Sequence, residues 1–198
     1  MYLRGFRQLN IISKVNNYTR RPLQSQKLIP LFFAKRHFSR NFVSRDRFSD
    51  AEQQLTLGTQ QLNQGSIDMA MNHYHKSVQL SPTPAGYFNI GVCYFQMGKH
   101  KDAIEAFKKS LQLDPNSADA HTNIASAYLM MSDISPAMDH LEKASNFNPL
   151  DGEIHYNLGC VYEATGNIDG AKIRLERARD LGIPQAAKAL EKLNNKKK

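Results

Sequence analysis

The chain has 198 residues, two cysteines and a net charge of +8, which arises from 26 basic and 18 acidic residues. Nothing in it approaches the ~20 consecutive apolar residues that a membrane-spanning helix requires. It also contains no Gly-rich phosphate loop, nucleophile elbow or zinc-ligand spacing. We therefore identify no catalytic residue, cofactor or metal ligand, and we expect function to reside in a binding surface.

The first 38 residues differ from the rest of the chain because they contain no Asp or Glu. Their eight basic residues account for the whole net charge, since the remainder has 18 basic and 18 acidic residues. Apolar residues recur among them at roughly helical spacing, which gives a basic amphipathic pattern. The basic residues are Arg4, Arg7, Lys14, Arg20, Arg21, Lys27, Lys35 and Arg36, and the apolar ones are Leu3, Phe6, Leu9, Ile12 and Val15.

Such an Arg-rich, acid-poor segment resembles a mitochondrial transit peptide. Arg36, Phe38 and Ser39 also resemble a matrix processing site, which has arginine, any residue, an aromatic and then a small residue. We expect residues 1–38 to be removed in the mitochondrial matrix and 39–50 to form a linker. The alternative is a basic arm that binds nucleic acid or membrane in the cytosol.

An alanine then returns at steps of 33, 34 and 34 residues, at Ala70, Ala103, Ala137 and Ala171. A fixed period of this length is typical of helical-hairpin solenoids. The in-phase units are 51–83, 84–117, 118–151 and 152–185.

Each unit reads as helix, tight turn, helix and stop. The turn falls at Gly65, Gly98, Ser132 and Gly166, where a left-handed residue would close the first helix. Ser66, Asp133 and Asn167 follow as candidate N-caps of the second helix. Proline ends each unit at Pro82, Pro115, Pro149 and Pro184.

This pattern resembles the tetratricopeptide repeat family over 51–185. The second unit carries the most family positions: Tyr87, Ile90, Gly91, Tyr94, Ala103, Phe107 and Pro115. The resemblance implies an all-α solenoid of four helical hairpins, with the repeated alanines buried between helices. Apolar Ala186, Ala189, Leu190 and Leu193 predict a C-terminal cap helix over 184–195, followed by a disordered tail at 196–198.

The resemblance also implies that the first helix of each hairpin lines a concave groove. The candidate peptide-binding residues are Asn89, Asn123, Asn157, Phe88, Tyr156, Thr122 and Ser126. The three asparagines recur every 34 residues, and an exposed amide can both donate to and accept from a peptide backbone. The alternative is that these amides bond to neighbouring helices and are structural. No Lys or Arg is expected in this groove, so it should suit a neutral or weakly basic peptide or helix.

The leading hypothesis is a non-catalytic scaffold that binds one or more mitochondrial proteins. One alternative is an RNA-binding helical-repeat protein of the mitochondrion, and the groove's lack of phosphate-binding cations argues against it. Another is a cytosolic co-chaperone, whose acidic ligand would need Lys or Arg partners.

His121 and His155 share one repeat position and are expected to pack there in place of an aromatic residue. The basic end formed by Lys172, Arg174, Arg177, Arg179 and the lysine tail predicts either a solvated face or weak contact with an acidic membrane surface.

Overall fold

The structure, a computed structural model, describes residues 38–195, with side chains from residue 46 onward. Within this range the chain forms nine α-helices and no strand. The first member of each hairpin is α1 (Phe38–Asn63), α3 (Pro84–Gln96), α5 (Ala118–Met130) or α7 (Gly152–Ala164). The second members are α2 (Ile67–Leu80), α4 (His100–Leu113), α6 (Ile134–Phe147) and α8 (Ile168–Asp180), and α9 (Pro184–Asn195) packs on α8. This is the all-α helical repeat fold that the period predicts.

The two helices of a hairpin approach closely where a glycine faces a large side chain. A Cβ built on Gly91 would lie 2.6 Å from the ring of Phe107, and one on Gly159 would lie 2.7 Å from Leu175. Real Cβ atoms do not approach other heavy atoms this closely, so these positions require glycine unless the helices separate. The small and large residues recognised in the sequence therefore form matched contacts within each hairpin.

The repeated alanines are fully buried, as predicted. Ala70, Ala103, Ala137 and Ala171 each have 0% of their surface exposed. Because protein interiors are packed as densely as organic crystals, a methyl group at these positions leaves no room for a larger one.

A left-handed residue closes the first helix of every hairpin, also as predicted. Gly65, Gly98 and Gly166 have φ values of 79°, 73° and 81°, and Ser132 has 63°. Ser132 is the one described non-glycine residue with positive φ, a conformation that costs an L-residue free energy.

All three residues predicted to cap the second helices lie at the N-cap positions, but only one of them forms a side-chain cap bond. The Asn167 side chain accepts from the N–H of Gly170, whereas Ser66 and Asp133 form no side-chain cap bond. Side-chain caps are instead found at the start of the first helices, where Thr83, Ser117 and Asp151 accept from backbone N–H groups.

The segment 39–50, expected to be a linker, is helical and forms the first part of α1. The sequence between Phe38 and Leu57 contains no glycine or proline that would stop a helix. The Ser77 hydroxyl donates to the carbonyl of Ala51 at 2.8 Å, as Ser110 does to Pro84 at 2.9 Å one unit later. The first unit thus forms the same contact as the second at equivalent positions, and α1 begins before the first residue of that unit.

Predictions on residues 1–37 and on the tail 196–198 lie outside the described residues. Among the helices of 38–195, none combines the length and the apolar character needed to cross a bilayer.

Candidate peptide-binding groove

The three predicted asparagines are not equally accessible. Asn89 and Asn157 are 2% and 6% exposed, whereas Asn123 is partly exposed. The expectation of three exposed amides is therefore wrong for two of them, although all three asparagines occupy the same repeat position. Asn123 donates from Nδ2 to the carbonyl of Asp119 in its own helix at 2.8 Å, which leaves its amide oxygen as the accepting group.

Asn157 is unusual among the buried polar groups. Its Oδ1 atom is buried and accepts no hydrogen bond within the described part of the chain. Buried amide oxygens are nearly always satisfied, and an unsatisfied one is costly. This oxygen is therefore suited to accept an N–H group from outside the described structure.

The hydroxyl groups beside the asparagines bond back to α5. Thr122 Oγ1 donates to the carbonyl of Ala118 at 2.8 Å, and Ser126 Oγ donates to the carbonyl of Thr122 at 2.9 Å. Because the Thr122 hydroxyl already donates its hydrogen to the helix, this half-buried group can only accept a hydrogen bond from a ligand.

Tyr156 and Cys160 form a half-buried pair on α7. Burial raises the pKa of Tyr156 to about 12, with a smaller contribution from its hydrogen bond to Cys160. Burial also raises the pKa of the Cys160 thiol to about 11. The thiol is protonated at neutral pH, so this pair presents a polar surface without a reactive thiolate.

Phe88 is not an anchor in the groove, contrary to the sequence prediction. It is 1% exposed, and its ring centroid lies 5.3 Å from that of Phe107 in α4. Position 88 is rotated about 100° around the helix from position 89. The side chain therefore fills the hairpin core rather than facing a ligand.

A cavity of about 700 Å³ lies between α1 and α3 and includes Asn89 among its lining residues. Phe48 also lines it and is 50% exposed, which is unusual for a large aromatic side chain. Its further lining residues are Ala51, Glu52, Leu55, Thr56, Thr59, Gln60, Asn63, Gln64, Ser77, Thr83 and Ala85. Phe48 was not predicted to lie here because residues 39–50 were expected to form a linker, whereas the other α1 residues of the cavity belong to the first predicted unit. The helical spacing of Phe48, Glu52, Leu55 and Thr59 was the available signal.

The first helices carry an unequal distribution of charge. No Lys or Arg occurs in α3, α5, α7 or residues 51–63 of α1. Acidic residues do occur there, at Glu52, Asp119 and Glu153 among others. All ten Lys and Arg residues of the four repeat units lie on the second helices or in turns. From residue 51 onward, the side of the solenoid formed by the first helices is therefore neutral to acidic, whereas the N-terminal part of α1 also contains arginines.

The histidines at the shared repeat position pack inside separate hairpins. His121 lies 2.9 Å from His140 and its ring stacks on Phe147, with centroids 5.6 Å apart. His155 donates from Nε2 to the carbonyl of Pro149 at 3.0 Å. Burial lowers the pKa of both His121 and His155. Among the described residues there is no group of three or more His, Cys, Asp or Glu that could hold a metal ion.

Models of the tetratricopeptide repeat match the chain at residues 84–117, 106–135 and 152–178. A curated relative, the tetratricopeptide repeat and J domain-containing co-chaperone DNJ1 of Cryptococcus neoformans var. grubii, is 33% identical over 61 residues. That match covers 30% of this chain and 12% of the co-chaperone, so the chain corresponds to about an eighth of its length.

Solved structures are similar to a larger share of the chain. The crystal structure of MamA protein superimposes with a TM-score of 0.68 and 27% identity, over 75% of this chain and 83% of that one. The first TPR of Spaghetti (RPAP3) bound to the HSP90 peptide SRMEEVD gives a TM-score of 0.55 and 26% identity, over 58% of this chain and 93% of that one.

Proposed function

Because this chain belongs to the tetratricopeptide repeat family, we propose that its protein–protein interaction surface is the groove side, which binds a peptide or helix of a partner protein. The observation that carries this proposal is the buried Oδ1 of Asn157, which accepts no hydrogen bond within 38–195. Asn123 and Thr122 on the neighbouring α5 add two partly exposed oxygens that can accept from a peptide backbone.

The charge of the groove side supports a neutral or basic partner. The peptide in the RPAP3 complex has the acidic sequence SRMEEVD, and holding such carboxylates requires Lys or Arg. The first helices from residue 51 onward contain neither residue. We therefore do not expect this chain to bind an acidic peptide of that kind, and the same lack of cations disfavours nucleic acid as the partner.

We further propose that the protein acts in the mitochondrial matrix, because Arg36, Phe38 and Ser39 form a motif that resembles a matrix processing site. The acid-free segment 1–38 supports this location. N-terminal sequencing of the endogenous protein tests it: a mature terminus at or near Ser39 in a mitochondrial fraction is expected, and an intact Met1 in the cytosol would contradict it.

Partner binding is tested with the tagged full chain expressed in its own cells. Asn123→Ala with Thr122→Ala should lower the affinity for captured partners at least tenfold, equivalent to about 1.4 kcal/mol. The matched control is Lys172→Ala with Lys188→Ala, which changes two exposed residues on α8 and α9. If the control variant loses the partners and the groove variant keeps them, recognition occurs on the basic end and the groove proposal is wrong.

A further inference from the structure

We propose that the cavity between α1 and α3 is the docking site of the chain's own N-terminal segment, residues 1–37, before that segment is removed. The proposal rests on the proposed function, because it assigns to the same groove side an internal ligand that competes with the partner.

Charge complementarity is the first argument. Residues 1–37 carry eight basic residues and no acidic one. The cavity is lined by a single charged residue, the exposed Glu52, and no cation occurs on the first helices from residue 51 onward. At this cavity a cationic segment would therefore meet one carboxylate and no lining Lys or Arg, and the nearest cation described along α1 is Arg47, beside Phe48.

Apolar complementarity is the second argument. Phe48 is half exposed at the cavity, and the partly buried Leu55 lies two helical turns further along the same face. Phe48 and Leu55 together give the cavity an apolar wall, which is the kind of surface that an apolar segment can cover. The N-terminal segment has apolar residues to cover it, at Leu3, Phe6, Leu9, Ile12 and Val15.

Reach is the third argument. The segment joins α1 at Phe38, which is ten residues before Phe48 and so about 15 Å from it along the helix. A chain of 37 residues can span up to roughly 120 Å when extended. Tethering at this short distance raises the effective concentration of the segment at the cavity to the millimolar range, so docking needs only modest intrinsic affinity.

The experiment measures binding of a fluorescent synthetic peptide of residues 1–37 to full-length chains. One full-length variant, called the released chain, carries Arg4→Glu, Arg7→Glu and Lys14→Glu. These substitutions reverse three of the eight charges of the attached segment, so the segment should leave the cavity. This released chain should bind the peptide at least tenfold more tightly than wild type. In the wild type, an attached segment that occupies the cavity about 90% of the time leaves it free about 10% of the time, which weakens the apparent affinity for the peptide about tenfold.

Two further variants locate the site on the released chain. Phe48→Ser and Glu52→Lys should each weaken peptide binding at least tenfold, equivalent to about 1.4 kcal/mol. Leu150→Ser is the matched control, because Leu150 is 70% exposed and does not line the cavity, and it should leave peptide binding unchanged.

Equal affinity of the wild-type and released chains, or no binding to either, would overturn the inference. Wild-type dimers at the assay concentration in sedimentation would also overturn it, since the segment would then bind a second copy. The proposed function would be contradicted by a different result, namely that the chain with Asn123→Ala and Thr122→Ala keeps its captured partners.

Discussion

His121 Nδ1 lies 2.9 Å from His140 Nδ1, and the two residues are 19 positions apart in one hairpin. The same separation joins Gln54 to His73 at 2.8 Å and His155 to Arg174 at 3.4 Å. Three of the four hairpins thus place a polar pair between corresponding positions of their two helices. In the second unit the corresponding residues are Tyr87 and Ala106, a large and a small side chain.

The histidine pair predicts loss of stability in acid. Burial, with a smaller repulsion from His121 and Lys143, lowers the pKa of His140 to about 4, and burial also lowers that of His121. An unfolded histidine has a pKa of about 6.5, so between pH ~4 and ~6.5 the unfolded chain binds more protons. The free energy of unfolding should therefore be highest above pH ~6.5 and fall by about 1–2 kcal/mol as pH drops through this range, after allowance for solvent screening.

Urea unfolding at several pH values between 4 and 7.5 measures this slope. The control is His121→Tyr with His140→Ala, which copies the pair of the second unit and should flatten the slope without loss of the fold. An unchanged slope in that variant would assign the pH dependence to other groups, of which His155 is one.

Ala103→Leu should destabilise the protein by about 1–3 kcal/mol through overpacking. Ala103 has no exposed surface and lies where α4 meets its neighbours. Thermal or urea unfolding measures the change. Ala187→Leu, on an exposed face of α9, should stay within about 0.5 kcal/mol of wild type. Similar effects of the two substitutions would mean that the repeat register is wrong.

The 34-residue period allowed the buried alanines and the turn glycines to be predicted, since both depend on local geometry repeated in each unit. The groove was predicted less well, because periodicity fixes equivalence between repeats but not the direction of a side chain. Asn89 and Phe88 differ by one position, and packing against Phe107 decides that Phe88 points into the hairpin. The start of α1 also escaped prediction, since the segment 39–50 is rich in arginine and serine and lies before the first repeated unit, although nothing in it stops a helix.

Ser132→Gly should stabilise the protein by about 0.5 kcal/mol. Ser132 holds φ at 63°, where its Cβ causes strain that glycine lacks, and the added freedom of glycine in the unfolded chain offsets part of the gain. The converse change, Gly98→Ser, places the same side chain at φ 73° and should be destabilising. Unfolding midpoints of both variants measure the two signs, and a loss of stability in Ser132→Gly would contradict the argument.

Asn157→Leu should separate folding from binding. The substitution removes a buried amide oxygen that has no acceptor role within 38–195, so the free protein should gain about 0.5–1 kcal/mol in the free energy of unfolding. If that oxygen accepts an N–H from the partner, affinity should fall at least tenfold at the same time. Asn123→Leu is the control for stability, because its amide already bonds to the carbonyl of Asp119 and its removal should give no gain. A variant at 157 that loses stability but retains its partner at wild-type affinity would show that the amide serves the fold alone.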